Sequence, residues 1–143
     1  MIYVTAICSA ILALMFIKLS FNVIELRRMH KVPFGVGGID ALDRAIRAHA
    51  NFAEYIPVGL ILMATLELNG APWIWVAVLG SCLVLGRHFH AKGIRQDEPD
   101  FESRVTGMKF TLVAIALLAV SNLVWVAYSL IVSARFVQSL YAN

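Results

Sequence analysis

Four apolar runs dominate this chain, at roughly 2–26, 45–68, 72–94 and 105–134, each near or above the ~20 residues that a helix needs to cross a bilayer core. Lipid offers no water to backbone N–H and C=O groups, so runs of this kind cross as helices whose bonds are internal. Composition agrees. The chain is 60% hydrophobic and 15% charged, against about 25% charged in an ordinary soluble domain, and its mean hydropathy is +0.78. Those values exclude a cytosolic globular domain and a disordered chain. The expected fold is all-α: an integral membrane four-helix bundle forming one domain over residues 1–143, with helices at roughly 2–28, 40–68, 72–95 and 103–136.

The breaks between the runs have physical causes. Lys31 to Gly38 carries Pro33 and three glycines and cannot continue a helix. Asn69-Gly70-Ala71-Pro72 reads as a tight turn, with glycine closing one helix and proline opening the next. Gln96 to Ser103 is the acidic, water-seeking stretch and reads as a third loop. The first run has its basic cluster, Arg27, Arg28 and Lys31, after it rather than before it. A cleaved signal peptide has the opposite polarity, so this run reads as a retained helix. Cys8 and Cys82 both fall in apolar runs and read as inert thiols rather than a disulfide framework.

Charge placement predicts orientation. Ten of the twelve Lys and Arg residues flank the first or third loop, and none lies in the second. The positive-inside rule then places loops one and three in the cytoplasm and both termini outside it. The basic pI near 9.1 thus reports topology and contact with lipid headgroups or anionic ligands, with no nucleic-acid partner.

The second run holds the chemistry. In DALDRAIRAHANFAEYIP, Arg44, Arg47, Asn51, Glu54, Tyr55 and Val58 fall within an arc of about 100° at the helical pitch. Ala45, Ile46, His49 and Phe52 lie opposite. An ionised group at the centre of a membrane helix costs about 2.5–3.5 kcal/mol on insertion scales. The polar face must therefore look into the bundle or a wet cleft. One outcome is a packed polar network that fixes helix register. Paired donors and acceptors over three turns fit a zwitterionic, carboxylate-bearing ligand better, because the Arg fork binds carboxylates bidentately and Glu54 can hold an ammonium group.

The third run adds Arg87, His90 and Ile94 on one face. His88 and His90 point about 160° apart on a helix and cannot chelate one ion, so no metal site is expected. Arg104 opens the fourth helix, where a cation is ill placed for the helix dipole. Trp73, Trp75, Trp125 and Tyr128 read as interfacial belts.

These residues resemble the MAPEG family, membrane-associated proteins in eicosanoid and glutathione metabolism, and in particular its small bacterial members. The strongest match is Arg44-x-x-Arg47-Ala48-x-x-Asn51-x-x-Glu54-Tyr55-x-Pro57, which is similar to the family's second-helix signature. Arg27-Arg28 closing the first helix, Gly86-Arg87 in the third and Arg104 opening the fourth also match. The resemblance implies a homotrimer in a bacterial inner membrane, with glutathione as co-substrate bound between neighbouring subunits. It implies that Arg44, Arg47, Asn51, Glu54 and Tyr55 hold glutathione from the second helix, Arg87 and His90 from the third, and Arg27 from the first. Arg104, with Arg28 as its rival, is implied as the thiolate stabiliser. Tyrosines common in the family at the positions of His90 and Ile94 are absent here; His90 keeps a hydrogen-bonding group and Ile94 does not.

The implied activity is that of a glutathione-dependent transferase or peroxidase acting on a hydrophobic electrophile or lipid hydroperoxide from the bilayer. An arginine near the sulfur in a poorly hydrated cleft favours the thiolate. The alternatives are a non-catalytic lipid- or thiol-binding member of the family, and a small four-helix transporter built around Glu54. The flanking Arg44 and Arg47 argue against the transporter.

Overall fold

The computed structural model describes residues 1–95 and 100–141. Its four helices are α1 (Tyr3–His30), α2 (Asp40–Leu68), α3 (Trp73–Arg95) and α4 (Phe101–Tyr141). All four are long and apolar enough to cross a membrane. The centre of the expected third loop, Gln96 to Pro99, lies outside the described residues.

Local chemistry explains where the helices stop. Lys31 closes α1 in the left-handed region at φ 55°, and the Val32 N–H bonds back to the Arg27 carbonyl at 3.0 Å. At the end of α2, Gly70 adopts φ 84°. There the Gly70 and Ala71 N–H groups bond the Glu67 and Leu66 carbonyls, a glycine-dependent closure that satisfies carbonyls otherwise left open. The start of α4 departs from the sequence expectation. Asp100 accepts from the Ser103 N–H at 3.0 Å as a helix cap, so Phe101 to Ser103 form the first turn of α4 rather than the end of a loop.

Packing is pairwise around α2 and α3. Both contact each other, α1 and α4, whereas α1 and α4 do not meet among the described residues. The core is built from Leu12, Met63, Leu66, Val76, Leu83 and Leu118. Apolar side chains also cover the outside, as a lipid-facing protein requires.

The α3–α4 contact is the closest, and glycine makes it possible. A Cβ at Gly86 would crowd α4, standing 2.7 Å from Thr111 Oγ1 and 2.9 Å from the Gly107 carbonyl oxygen. A Cβ at Gly107 would overlap the backbone of His90. A Cβ at Gly93 would stand 2.7 Å from the Arg104 nitrogen. The two backbones therefore touch, and that approach draws Arg87 and His90 of α3 up to Arg104 and Thr111 of α4. Small residues serve membrane helix packing in this way, because burial from lipid supplies no driving force of its own.

The opposite end of the bundle is tied by a carboxylate. Buried Glu67, in the last turn of α2, accepts from the Val4 N–H (2.9 Å), the Thr5 N–H (2.8 Å) and the Thr5 hydroxyl (2.7 Å). Residue Ile2, at the N-cap of α1, makes no side-chain capping bond. Glu67 thus satisfies first-turn donors that helix geometry leaves open, with a charge that suits the helix N-terminus. Nearby, the indole N–H of Trp125 donates to the Asn69 carbonyl at 2.7 Å and that of Trp75 to Ser121 at 3.0 Å. The 41 residues of α4 span about 60 Å, so this helix runs well past the α2–α3 turn.

Candidate functional site

A cavity of about 460 Å³ opens between α2, α3 and α4, near the end of the bundle that carries the α1–α2 loop. Its polar lining is Arg47, Asn51 and Glu54 from α2, His90 from α3 and Arg104 from α4. Helical spacing of four and three residues places the α2 trio on one face. Arg104 arrives because Gly93 lets the first turn of α4 lie against α3. Ile94, Phe101, Val105 and Met108 supply apolar wall. Five of the ten residues singled out from the sequence therefore share one cavity.

Directly behind this cavity lies a fully buried guanidinium. Arg87, 1% exposed, donates through Nε to Thr111 Oγ1 at 2.9 Å. Its Nη1 donates to Asn51 Oδ1 at 2.7 Å and to the Asn51 carbonyl at 3.3 Å. Its carbon Cζ stands 5.2 Å from the centre of the Tyr55 ring, a cation–π approach. Arg87 and Tyr55 are thus placed behind Asn51, not on the cavity wall. The Thr111 hydroxyl in turn donates to the Gly107 carbonyl at 2.9 Å. A buried cation is tolerated when its donors are met, and here α2 and α4 supply the partners.

The chain of bonds fixes which groups face the cavity. With Asn51 Oδ1 engaged by Arg87, its amide N–H groups are what the side chain has left to offer a ligand. His90 is buried, and its Nδ1 donates to the Arg104 carbonyl at 3.0 Å, because a carbonyl can only accept. A neutral His90 therefore has Nε2 left as an acceptor, and it becomes a donor there only when protonated. Arg47 is exposed and bonds Asp43 Oδ2 at 2.7 Å through Nε. Glu54 is exposed on the cavity rim.

Other predicted residues lie elsewhere in this chain. Arg27 folds over the α1–α2 loop and donates to the carbonyls of Val32, Pro33 and Gly35 at 3.0–3.3 Å. Arg28 is exposed at the end of α1, and Arg44 is half-buried on α2; neither lines the cavity. His49, assigned to the opposite face, contacts α1: its Nε2 lies 3.0 Å from Ser20 Oγ and its ring 4.6 Å from that of Phe16. No group of three or more His, Cys, Asp or Glu able to hold a metal occurs among the described residues.

Three buried polar residues, Thr5, Glu67 and Thr111, escaped the sequence reading. Thr111 lies 24 positions from Arg87, and no local spacing connects them. Glu67 carried a visible signal, an acid in the last turn of an apolar helix, where the dipole disfavours negative charge.

Comparison with known proteins agrees with the geometry. The MAPEG family profile matches residues 5–124. The chain is 37% identical over 132 residues to the inner membrane protein YecN of Escherichia coli strain K12, covering 92% of this chain and 99% of that protein. The protein of the same name from Escherichia coli O6:H1 matches to the same extent. With four helices able to span a membrane and a profile match across most of its length, this chain is an integral membrane protein of the MAPEG family.

Proposed function

We propose that the protein is a glutathione-dependent transferase or peroxidase of a bacterial inner membrane, acting on hydrophobic electrophiles or lipid hydroperoxides. One observation carries this reading: Arg47, Asn51, Glu54, His90 and Arg104, drawn from three helices, line a single cavity. Its volume of about 460 Å³ lies within the 300–1,000 Å³ usual for small-molecule sites. The donor set suits a peptide with two carboxylates and one ammonium. Arg47 and Arg104 offer guanidinium forks and Asn51 offers amide N–H, while Glu54 accepts from an ammonium.

Glutathione would supply the thiol, of which only a few per cent is ionised at neutral pH when free. In this assignment Arg104 holds the charge that forms on sulfur, and α2 orients the tripeptide. The reading includes a homotrimer, in which the open side of the cavity meets a neighbouring subunit and Arg28 approaches from the neighbour's α1. It also places both termini outside the cytoplasm.

The test is a pH titration of bound glutathione by thiolate absorbance, paired with turnover of a generic electrophile. Arg104→Ala should reduce turnover by about ten- to a hundredfold, the effect of one to two units of lost thiol acidification at ~1.4 kcal/mol each. Glutathione affinity should fall much less, and the activity profile should move to higher pH. A shift seen in Arg28→Ala alone would transfer the role to Arg28. Glutathione binding without turnover in the native protein would leave a non-catalytic thiol-binding member. Reporter fusions at Phe34 and Gly70 check orientation: the first should read cytoplasmic and the second outside.

A further inference from the structure

A second cavity, larger than the polar one, lies toward the end of the bundle that carries the α2–α3 turn. It is a groove of about 980 Å³ between α1 and α3, and it shares no lining residue with the polar cavity. Ile7, Cys8 and Ile11 form its α1 wall, at the three- and four-residue spacing of one helical face. Ala77, Ser81 and Leu85 repeat that spacing on α3. The two helices touch at the floor, where a Cβ on Gly80 would stand 2.8 Å from Cys8 Sγ. Above it, the short side chains of Ala77 and Ser81 leave the space open.

Length and polarity match one leaflet of a bilayer. At 1.5 Å per residue the groove covers about 12 Å of α1, from Tyr3 to Ile11, and about 18 Å of α3, from Trp73 to Leu85. Half of a hydrocarbon core is about 15 Å. Tyr3 and Trp73, both exposed, stand at the outer mouth, and aromatic rings of this kind mark the headgroup level. Glu67 also reaches the mouth, but its carboxylate is engaged by the Val4 and Thr5 N–H groups. Deeper in, the walls are apolar except for Ser81. Among the described residues no Lys or Arg lines the groove.

We propose that this groove holds an acyl chain of a phospholipid from the leaflet nearest the α2–α3 turn, with the headgroup at the level of Tyr3 and Trp73. The site is separate from the thiol chemistry and does not depend on it. Its volume of about 980 Å³ lies at the top of the 300–1,000 Å³ usual for small-molecule sites. An acyl chain in the groove touches two walls and a floor, whereas one lying on a convex helix touches protein on one side. Each extra carbon contact adds dispersion attraction, so a chain in the groove outlasts the general lipid shell. With no Lys or Arg to fix a phosphate, the site reads the chain and not the headgroup. Anionic and zwitterionic phospholipids therefore occupy it alike.

The experiment uses the full chain in vesicles of phosphatidylethanolamine or of phosphatidylglycerol, in which a fraction of the acyl chains carries a diazirine. After illumination, peptide mapping should find Ile7 to Ile11 and Ala77 to Leu85 labelled more heavily than Leu117 to Val124. That stretch of α4 carries exposed apolar side chains and reports passing lipid. Both headgroups should give the same distribution. Ala77→Phe fills the groove and should cut labelling of Ile7 to Ile11 about tenfold, the scale of roughly ten lost carbon–carbon contacts. Labelling of α4 should stay as it was. Ser81→Phe, at an exposed position, makes the same test should Ala77→Phe lower helicity. Equal labelling of the groove and α4, or groove labelling that neither variant reduces, overturns the site. So does a groove labelled from phosphatidylglycerol alone. A disulfide between copies through Ser81→Cys, with Cys8→Ala and Cys82→Ala as background, would put a second copy of the chain there and overturns it too.

Discussion

Arg87 of α3 donates to the Oδ1 of Asn51 on α2 at 2.7 Å, so a fully buried cation sets the orientation of a side chain on the cavity wall. Thr111 of α4 holds the far side of the same guanidinium at 2.9 Å. Thr111→Val should therefore destabilise the protein by about 1.5–3 kcal/mol, the range for a hydrogen bond to a charged group. Arg87→Lys keeps the charge but loses the planar fork that reaches both partners, and should lower the thermal midpoint further. Unfolding in a fixed detergent measures both, and equal midpoints for the three proteins would show that the clamp contributes nothing.

Glu67 joins the two helix ends furthest from that cavity. Glu67→Gln preserves shape but replaces one accepting oxygen with an amide that cannot accept the Thr5 donors. Hydrogen exchange at the Val4 and Thr5 amides should accelerate, while amides around Arg87 keep their protection. Uniform loss of protection would indicate global destabilisation instead.

The α2 faces differ in what they bind. Arg47→Ala and Glu54→Ala should each weaken glutathione binding by about 2–5 kcal/mol if they leave a desolvated partner unpaired. His49→Ala removes the contact with Ser20 and the packing on Phe16, so it should lower stability while leaving affinity unchanged. Calorimetric titration alongside thermal unfolding distinguishes the two effects. Equal losses of affinity at all three positions would make α2 a structural element only.

The hydrogen bond from the Ser103 N–H and side chain holds the Asp100 carboxyl below its ordinary range. The sign follows from linkage. A depressed folded pKa contributes stability above the unfolded value, and that contribution disappears as pH falls through the folded one. Order in the first turn of α4 should therefore weaken below about pH 4, the ordinary aspartate range, and Asp100→Asn should remove this dependence. Amide exchange at Ser103 against pH is the readout.

Much of this architecture was legible in the sequence. Runs of apolar residues determined four helices, Gly70 and Pro72 determined a turn, and 3.6-residue periodicity determined that Arg47, Asn51 and Glu54 share a face with His49 opposite. These are properties of one helix axis at a time. The start of α4 is not legible in the same way, because Asp100, within an acidic stretch, acts as a cap.

What one axis cannot determine is how another is rotated and shifted against it, and tertiary structure decided those relations. Contact of the α3 and α4 backbones at Gly86, Gly93 and Gly107 set the register that brings Arg87 to Thr111 and His90 to Arg104. Arg87 and His90 share a helical face, yet one became a buried clamp and the other a cavity residue. Arg27 turned to the loop because three carbonyls there lay within reach of its guanidinium. Periodicity names the residues on each face; only the approach of neighbouring backbones selects which of their polar groups meet.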